Sequence, residues 1–123
     1  MRRSTTLLAA LLALGLTQPA AAASASITSA FGNTIKATYP DGRFQRYWLK
    51  ADGSWTAIGR RGHGSSGKWT AKGDEVCLRQ TKPLPMPNRY CTTFPADAKL
   101  GADWAAKDMG GHPIRLSLVK GRS

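Results

Sequence analysis

The sequence predicts an all-β domain, an antiparallel up-and-down meander of about eight short strands that forms a small barrel, closed or partly open. The 123 residues include 13 Gly and 7 Pro, which indicates many turns rather than long helices. Segments of strand length lie between the turns, and the last segment, residues 113–120, alternates almost strictly between apolar and polar types. This alternation is typical of a half-buried antiparallel strand. Such a meander protects its edges best by curling until they meet.

The predicted strands follow one another between turn signals. In chain order they are residues 34–39, 43–50, 54–59, 67–71, 75–80, 89–94, 103–107 and 113–120. Asp-Gly pairs at residues 41–42 and 52–53 suit hairpin turns, because both positions tolerate a positive φ. Residues 59–67 are predicted to be a flexible loop, and residues 83–88 a loop stiffened by proline. Seven aromatic side chains would fill the interior or its mouth: Phe31, Phe44, Trp48, Trp55, Trp69, Tyr90 and Trp104.

Residues 1–25 are predicted to be a cleaved secretory signal peptide, so that the single all-β domain comprises residues 26–123. The chain starts with two arginines, continues with an apolar run and ends this segment in small residues. The apolar run of about ten residues is too short for a transmembrane helix, which needs about twenty. Cleavage after Ala23 and cleavage after Ala25 both satisfy the small-residue rule. We therefore expect a periplasmic or secreted protein with no transmembrane helix in its mature chain.

Cys77 and Cys91 are the two cysteines of the chain, and an oxidising compartment predicts a disulfide bond between them. Each cysteine lies in an alternating run, and the proline-rich residues 83–88 separate the two runs. This pattern predicts a hairpin. If the cysteines lie opposite each other, the antiparallel register also pairs Arg79 with Arg89 and places two like charges together.

The mature chain is predicted to be strongly cationic. Without Arg2 and Arg3, 16 Lys and Arg residues remain against 7 Asp and Glu residues, a formal charge of +9. Such a surface concentrates anionic partners in a salt-dependent way without selecting one of them, or it serves only to keep the protein soluble. The expected partners are an anionic glycan, a lipid headgroup, lipopolysaccharide or a protein. Nucleic acid is not expected, because export makes it less available.

The candidate anion-binding residues lie in one loop and on the predicted outer wall of the barrel. Arg60, Arg61 and His63 belong to a Gly- and Ser-rich segment, and backbone amides of such a loop next to arginines can hold a phosphate or a sulfate. The remaining candidates are basic residues in or beside the predicted strands: Lys68, Arg79 and Arg89.

Catalytic, cofactor and metal signatures are not recognisable in the sequence. The two histidines, His63 and His112, lie far apart, and neither is expected to have carboxylates or thiolates nearby, so neither a metal site nor a cofactor is predicted. Asp74 and Glu75 are adjacent and would point apart, which does not suit glycosidase chemistry. The domain is therefore predicted to be non-enzymatic. A hydrolase that uses His63 with a serine of the same loop is a further alternative.

Short motifs of the chain resemble those of a group of secreted proteins. They include Tyr-Pro-Asp-Gly at residues 39–42, Gly-Asp-Glu-Val-Cys-Leu at residues 73–78 and the later Cys91. In these motifs the chain resembles small secreted proteobacterial proteins of unknown function, whose sheets are similar to those of the calycin group, which holds lipocalins and streptavidin. The resemblance covers residues 31–94 and implies a β-meander of the same kind.

These observations predict an exported, non-enzymatic binding module for an anionic ligand of the cell envelope. The alternative is a secreted β-barrel that inhibits or contacts a hydrolase of the protease or lysozyme type, with residues 83–88 as a rigid wedge. The salt dependence of binding distinguishes the two, because screening weakens an ion-mediated contact more than an apolar one.

Overall fold

The computed structural model describes residues 23–123, and all but the last three residues of the predicted signal peptide lie outside this range. The described chain folds into one helix and eight strands. In chain order these are α1 (Ala25–Thr28), β1 (Thr34–Thr38), β2 (Phe44–Leu49), β3 (Ser54–Ile58), β4 (Gly64–Lys72), β5 (Glu75–Lys82), β6 (Tyr90–Thr93), β7 (Asp103–Lys107) and β8 (Pro113–Val119). Between residues 23 and 123, no helix is long and apolar enough to cross a membrane.

The eight strands form one antiparallel sheet in the order β6-β5-β4-β3-β2-β1-β8-β7. Its two end strands, β6 and β7, approach each other without forming a ladder, and we call the gap between them the seam. Across the seam the Tyr90 hydroxyl donates a 2.5 Å hydrogen bond to the Lys107 carbonyl, and the ring centroids of Phe94 and Trp104 lie 4.9 Å apart. The sheet is thus a nearly closed barrel, which confirms the predicted fold class.

The connections alternate between the two ends of the barrel, as they must in an up-and-down meander. We call one end the mouth, and it carries the turns at residues 39–43, 59–63, 83–89 and 108–112. The opposite end, the base, carries the remaining connections and α1. Four turns that are distant in sequence therefore surround one opening.

The helix α1 closes the base. Ile27, in this helix, is fully buried in the core. The backbone amide of Ser24 donates a 3.0 Å hydrogen bond to the carbonyl of Gly73, in the turn between β4 and β5. The described chain is thus packed on the barrel from Ser24 onward, and the predicted boundary between residues 25 and 26 falls inside α1. The sequence analysis missed this helix because its Ala and Ser residues also match a cleavage site.

The inward side chains of β8 confirm the alternation that the sequence predicts. Ile114, Leu116 and Leu118 are buried, whereas Arg115 between them is exposed. Together with inward residues of the other strands they form one core, which is densest toward the base. Leu118 and Phe94 are among the largest fully buried side chains.

Two aromatic side chains of β2 lie outside the barrel, contrary to the prediction. Phe44 is exposed, and Trp48 is buried on the outer face of the sheet. The Trp48 indole donates a 2.9 Å hydrogen bond to the Thr34 hydroxyl, and the guanidinium of Arg122 stacks 4.0 Å from its ring centroid. The prediction failed because both faces of β2 carry large apolar residues, so that alternation alone does not reveal which face is inside.

β4 begins at Gly64 rather than at residue 67, and the predicted flexible loop is a tight turn at residues 59–63. Glycine is required inside this strand at position 67. A Cβ atom on Gly67 would lie 1.9 Å from the backbone carbonyl oxygen of Arg79 in β5. Gly67, one of the residues that suggested a loop, thus allows β4 and β5 to approach closely.

The predicted disulfide bond is confirmed: Cys77 and Cys91 are bonded and lie opposite each other in the β5–β6 ladder. The ladder ends at the next pair of residues, so that Arg89 lies in a mouth turn and is not paired with Arg79. Arg79 lies opposite Lys68 of β4 instead. A like-charge pair is therefore present on the outer wall, but it consists of Lys68 and Arg79 instead of the predicted Arg79 and Arg89.

The disulfide bond should stabilise the fold by about 2 to 4 kcal/mol. Replacing both Cys77 and Cys91 by Ser should lower the free energy of unfolding by this amount in a urea titration, because the unfolded chain loses its cross-link. Intact-mass analysis after alkylation of the unreduced protein should reveal no free thiol. Alkylation of both cysteines would contradict the assignment.

Truncation of β8 should distinguish its two faces. Leu116→Ala should lower the free energy of unfolding by about 2 to 5 kcal/mol, because it removes a buried side chain from the core. Ser117→Ala, on the opposite face, should change it by less than about 0.5 kcal/mol. Equal losses in urea titrations would show that the faces are assigned wrongly.

Candidate functional site

The barrel contains a cavity of about 230 Å³ that extends from the core to the mouth. Large side chains such as Trp55 and Phe94 line its deep end. Nearer the mouth and along the seam, inward positions carry smaller residues such as Ala37 and Thr92. The interior is therefore filled at the base and remains hollow toward the mouth.

Polar and flexible side chains surround the opening of the cavity. Met86 and Met109, from two different mouth turns, are 39% and 52% exposed and also line the cavity. Methionine is flexible and adapts to irregular apolar surfaces. The polar members of this rim are Gln45, Gln80, Asn88 and Asp108. An apolar interior with a few polar groups at its opening is typical of small-molecule sites.

Asp108 organises one side of the mouth. Its carboxylate accepts hydrogen bonds from the Tyr39 hydroxyl at 3.0 Å and from the backbone amides of Gly110 and His112 at 3.0 and 2.8 Å. Partial burial alone would raise the pKa of Asp108, but the bonds from His112 and Tyr39 outweigh it and hold this pKa below its ordinary value. Asp108 is therefore ionised at neutral pH and ties the β7–β8 turn to Tyr39.

Tyr47 projects into the cavity below the rim. Burial, together with the neighbouring Tyr39, Tyr90 and Asp108, raises the pKa of its hydroxyl to about 12. The hydroxyl is thus neutral at physiological pH and donates a hydrogen bond to the side-chain oxygen of Gln45. The side-chain oxygen of Gln45 accepts this bond, so its amide NH2 group remains available to donate a hydrogen bond to a ligand.

A second concavity, of about 260 Å³, lies beside the opening, and we call it the arginine site. It is lined by Arg43, Gln45, Arg60 and Arg61. The guanidinium of Arg60 packs on Tyr39, 3.8 Å from the ring centroid, in a cation–π contact that limits its freedom. Arg43 is paired with Asp41 at 2.9 Å on the exposed surface. Three arginine side chains thus line one concave surface, and one of them, Arg43, is bound to a carboxylate.

Of the six predicted anion-binding residues, Arg60 and Arg61 lie in the arginine site. His63 is exposed at the end of the same turn but does not line the concavity. The turn is only five residues long, and its first residue, Gly59, donates a 2.9 Å hydrogen bond to the His63 carbonyl. The two arginines therefore project from a short, hydrogen-bonded turn rather than from a flexible loop.

The other three predicted residues lie elsewhere. Arg89 is exposed in a mouth turn on the β5–β6 side, and it lines neither the cavity nor the arginine site. Lys68 and Arg79 are exposed on the outer wall, where they face each other across the β4–β5 ladder. The barrel thus does not bring these three residues into one site with Arg60 and Arg61.

Sequence reasoning missed Arg43 and Gln45 as members of the arginine site. Arg43 directly follows the Asp-Gly turn at residues 41–42, Gln45 lies two residues later, and alternate turns of a meander lie at the same end of the barrel. Counting turns would therefore have placed them beside residues 59–63. It also missed the mouth side chain Asp108, which lies four residues before His112 and contacts it at 3.2 Å.

Among the described residues, one cluster has the residue types of a metal site. Glu75, Cys77 and Cys91 lie within 4.8 Å of one another, but both sulfurs belong to the disulfide bond and are not thiolate ligands. Asp108 and His112 supply two ligands, fewer than a structural or catalytic zinc site uses. The mouth therefore presents an apolar cavity beside a surface lined by arginines.

The role of Asp108 in the mouth predicts a pH-dependent contribution to stability. Its pKa is lower in the folded domain than in the unfolded chain, so its carboxylate stabilises the fold above about pH 4, and this contribution is lost as the pH falls through the folded-state pKa. Asp108→Asn should therefore lower the free energy of unfolding by about 1 kcal/mol at pH 7 and by much less well below pH 4.

The matched control for Asp108→Asn is Asp103→Asn. Asp103 pairs with Arg115 on the exposed wall, where an ion pair contributes less than about 1 kcal/mol. Urea titrations of both variants across this pH range measure the difference. A loss for Asp108→Asn that is the same at all pH values would contradict the proposed contribution of its charge.

The chain matches no protein-family model, no curated protein and no solved structure. The interpretation of the cavity and the arginine site therefore rests on their geometry and charge. The resemblance to the calycin group stays a prediction from the sequence, whereas the barrel itself is observed.

Proposed function

We propose that the domain is an exported, non-enzymatic binding module for an anionic ligand of the cell envelope, and that the arginine site holds the anion. The observation that supports this proposal is the convergence of Arg43, Arg60 and Arg61 on one concavity beside the barrel opening. Guanidinium groups form paired hydrogen bonds with carboxylates and phosphates, and such bonds are stronger than those between neutral groups.

The local structure supports binding at this place over binding elsewhere on the cationic surface. Arg60 is held against Tyr39, and both Arg60 and Arg61 extend from a short turn, so that less side-chain freedom is lost when an anion binds. Lys68 and Arg79, by contrast, extend from an exposed strand surface, without such a concavity. A preorganised site binds more tightly than scattered charges of equal number.

A second candidate function, inhibition of a hydrolase, is supported by the turn between β5 and β6. Leu84 at its tip is 70% exposed, which is unusual for a large apolar side chain in a proline-rich turn. The turn is tied to β5, because the Met86 amide donates a 3.0 Å hydrogen bond to the Gln80 carbonyl and the Gln80 side chain donates one of 3.1 Å to the Leu84 carbonyl. An exposed leucine on a turn held by hydrogen bonds could enter an apolar cleft of a partner.

Thermal unfolding with heparin tests the first function, because heparin supplies anionic groups without an apolar chain. A ligand that binds only the folded domain stabilises it by about 2.7 kcal/mol at a concentration one hundred times its Kd. We expect heparin to raise the Tm at low salt and to raise it less as salt screens the charges. Arg60→Ala with Arg61→Ala should remove most of this increase.

The matched control for the double arginine variant is Lys72→Ala with Lys99→Ala. It removes the same charge from exposed positions at the base, far from the arginine site. If both double variants weaken the effect of heparin equally, the interaction is with overall charge and not with the arginine site. A Tm that heparin does not change at low salt would favour the second candidate, for which Leu84→Asp should abolish binding to the partner.

A further inference from the structure

The cavity and the arginine site meet at one side chain, Gln45, which lines both. Position 45 is the inward position of β2 that lies nearest to the mouth, so its side chain borders both the apolar cavity and the surface lined by the three arginines. We propose that the ligand is a single-chain amphiphile whose apolar chain enters the barrel cavity and whose anionic head group, a carboxylate or a phosphate, binds at the arginine site. This inference rests on the proposed function and names the class of its ligand.

The volume of the cavity sets the length of the chain. A dry cavity of about 150 Å³ holds benzene, which has six carbons. In the same proportion the cavity of about 230 Å³ has room for about nine carbons. The cavity therefore accommodates a chain of medium length, and the remainder of any longer chain would lie outside the mouth.

The wall and the rim of the cavity suit such a chain. The wall is formed mainly by aliphatic and aromatic side chains of six strands, such as Ile35, Leu78 and Leu116. At the rim, Met86 and Met109 are exposed and lie in the two mouth turns that flank the seam. An apolar chain in the cavity contacts mainly apolar atoms, while its head group stays at the solvent-exposed surface.

The charges around the opening favour an anionic head on one side. Arg60 and Arg61 form no salt bridges within the described chain, whereas Arg43 forms a salt bridge with Asp41. Asp108, on the opening itself, would repel an anion, but its oxygens already accept hydrogen bonds from Tyr39 and from the β7–β8 turn. The head group is thus directed away from Asp108 and toward the arginine site.

Isothermal titration calorimetry with a series of small probes tests this inference. The probes are carboxylates from butanoate to dodecanoate, nonyl phosphate and uncharged 1-nonanol. From butanoate to nonanoate each added methylene should tighten binding about fourfold, because it buries one more apolar group, and longer chains should gain little. 1-Nonanol should bind at least about tenfold more weakly than nonanoate, because it lacks the charge that the arginines bind. The affinities of nonanoate and nonyl phosphate show which of the two head groups binds more tightly.

Two neighbouring residues of β6 provide a matched pair of variants. Thr92 points into the cavity, and Thr93 is exposed on the outer face. Thr92→Phe should fill the cavity and weaken nonanoate binding at least about tenfold, whereas Thr93→Phe should leave it unchanged. Melting curves verify that both variants are folded, and if Thr92→Phe is unfolded, the chain-length series on the wild-type protein decides alone.

The possible results separate this inference from the function on which it rests. If heparin stabilises the domain but chain length has no effect on carboxylate binding, the inference that the ligand is an amphiphile is wrong. The proposed function of the domain as an anion-binding module is then retained. If 1-nonanol binds as tightly as nonanoate, the cavity takes apolar ligands without the arginine site, and the inference is overturned. If neither heparin nor any of the amphiphiles binds, both proposals fail.

Discussion

Closing the seam between β6 and β7 is the constraint on which the rest of the barrel depends. These strands are the two ends of the sheet, and they approach without a ladder of backbone hydrogen bonds. Side chains close the gap instead: Tyr90 bonds to the backbone of β7, and Phe94 packs on Trp104. The disulfide bond attaches the short strand β6 to β5, and α1 fills the base. With the base and the seam occupied in this way, the space that remains is at the mouth.

Strand positions were the most predictable part of this protein. Each of the eight strands overlaps a segment that alternation and turn residues predicted, although β4 begins three residues earlier than predicted. The register of the β5–β6 hairpin followed from Cys77 and Cys91. Two predictions that failed are the inward placement of Phe44 and Trp48 and the start of β4. Phe44 and Trp48 lie on a strand that is apolar on both faces. Gly67 is a strand glycine that the close approach of the β5 backbone requires. Neither condition can be recognised from periodicity.

The candidate site was predictable only in part, because it is assembled from turns that are far apart in sequence. Composition and local pattern indicated Arg60 and Arg61, which are adjacent. They could not indicate Gln45, whose importance comes from its place between a cavity and a charged surface. The cavity itself depends on how side chains of six strands fill a closed volume, and a list of residue types does not contain that information.

The pairing of β1 with β8 has a consequence for the order in which the chain can fold. The first strand forms its ladder with the last, and Gly121, beyond β8, donates a 2.9 Å hydrogen bond to Asn33 and accepts one of 2.7 Å from Thr34. Synthesis from the N-terminus therefore delivers β1 long before its partner. Until β8 has been made, one side of β1 stays unpaired and available to other strands. Completion of the barrel is consequently a late event that requires all eight strands.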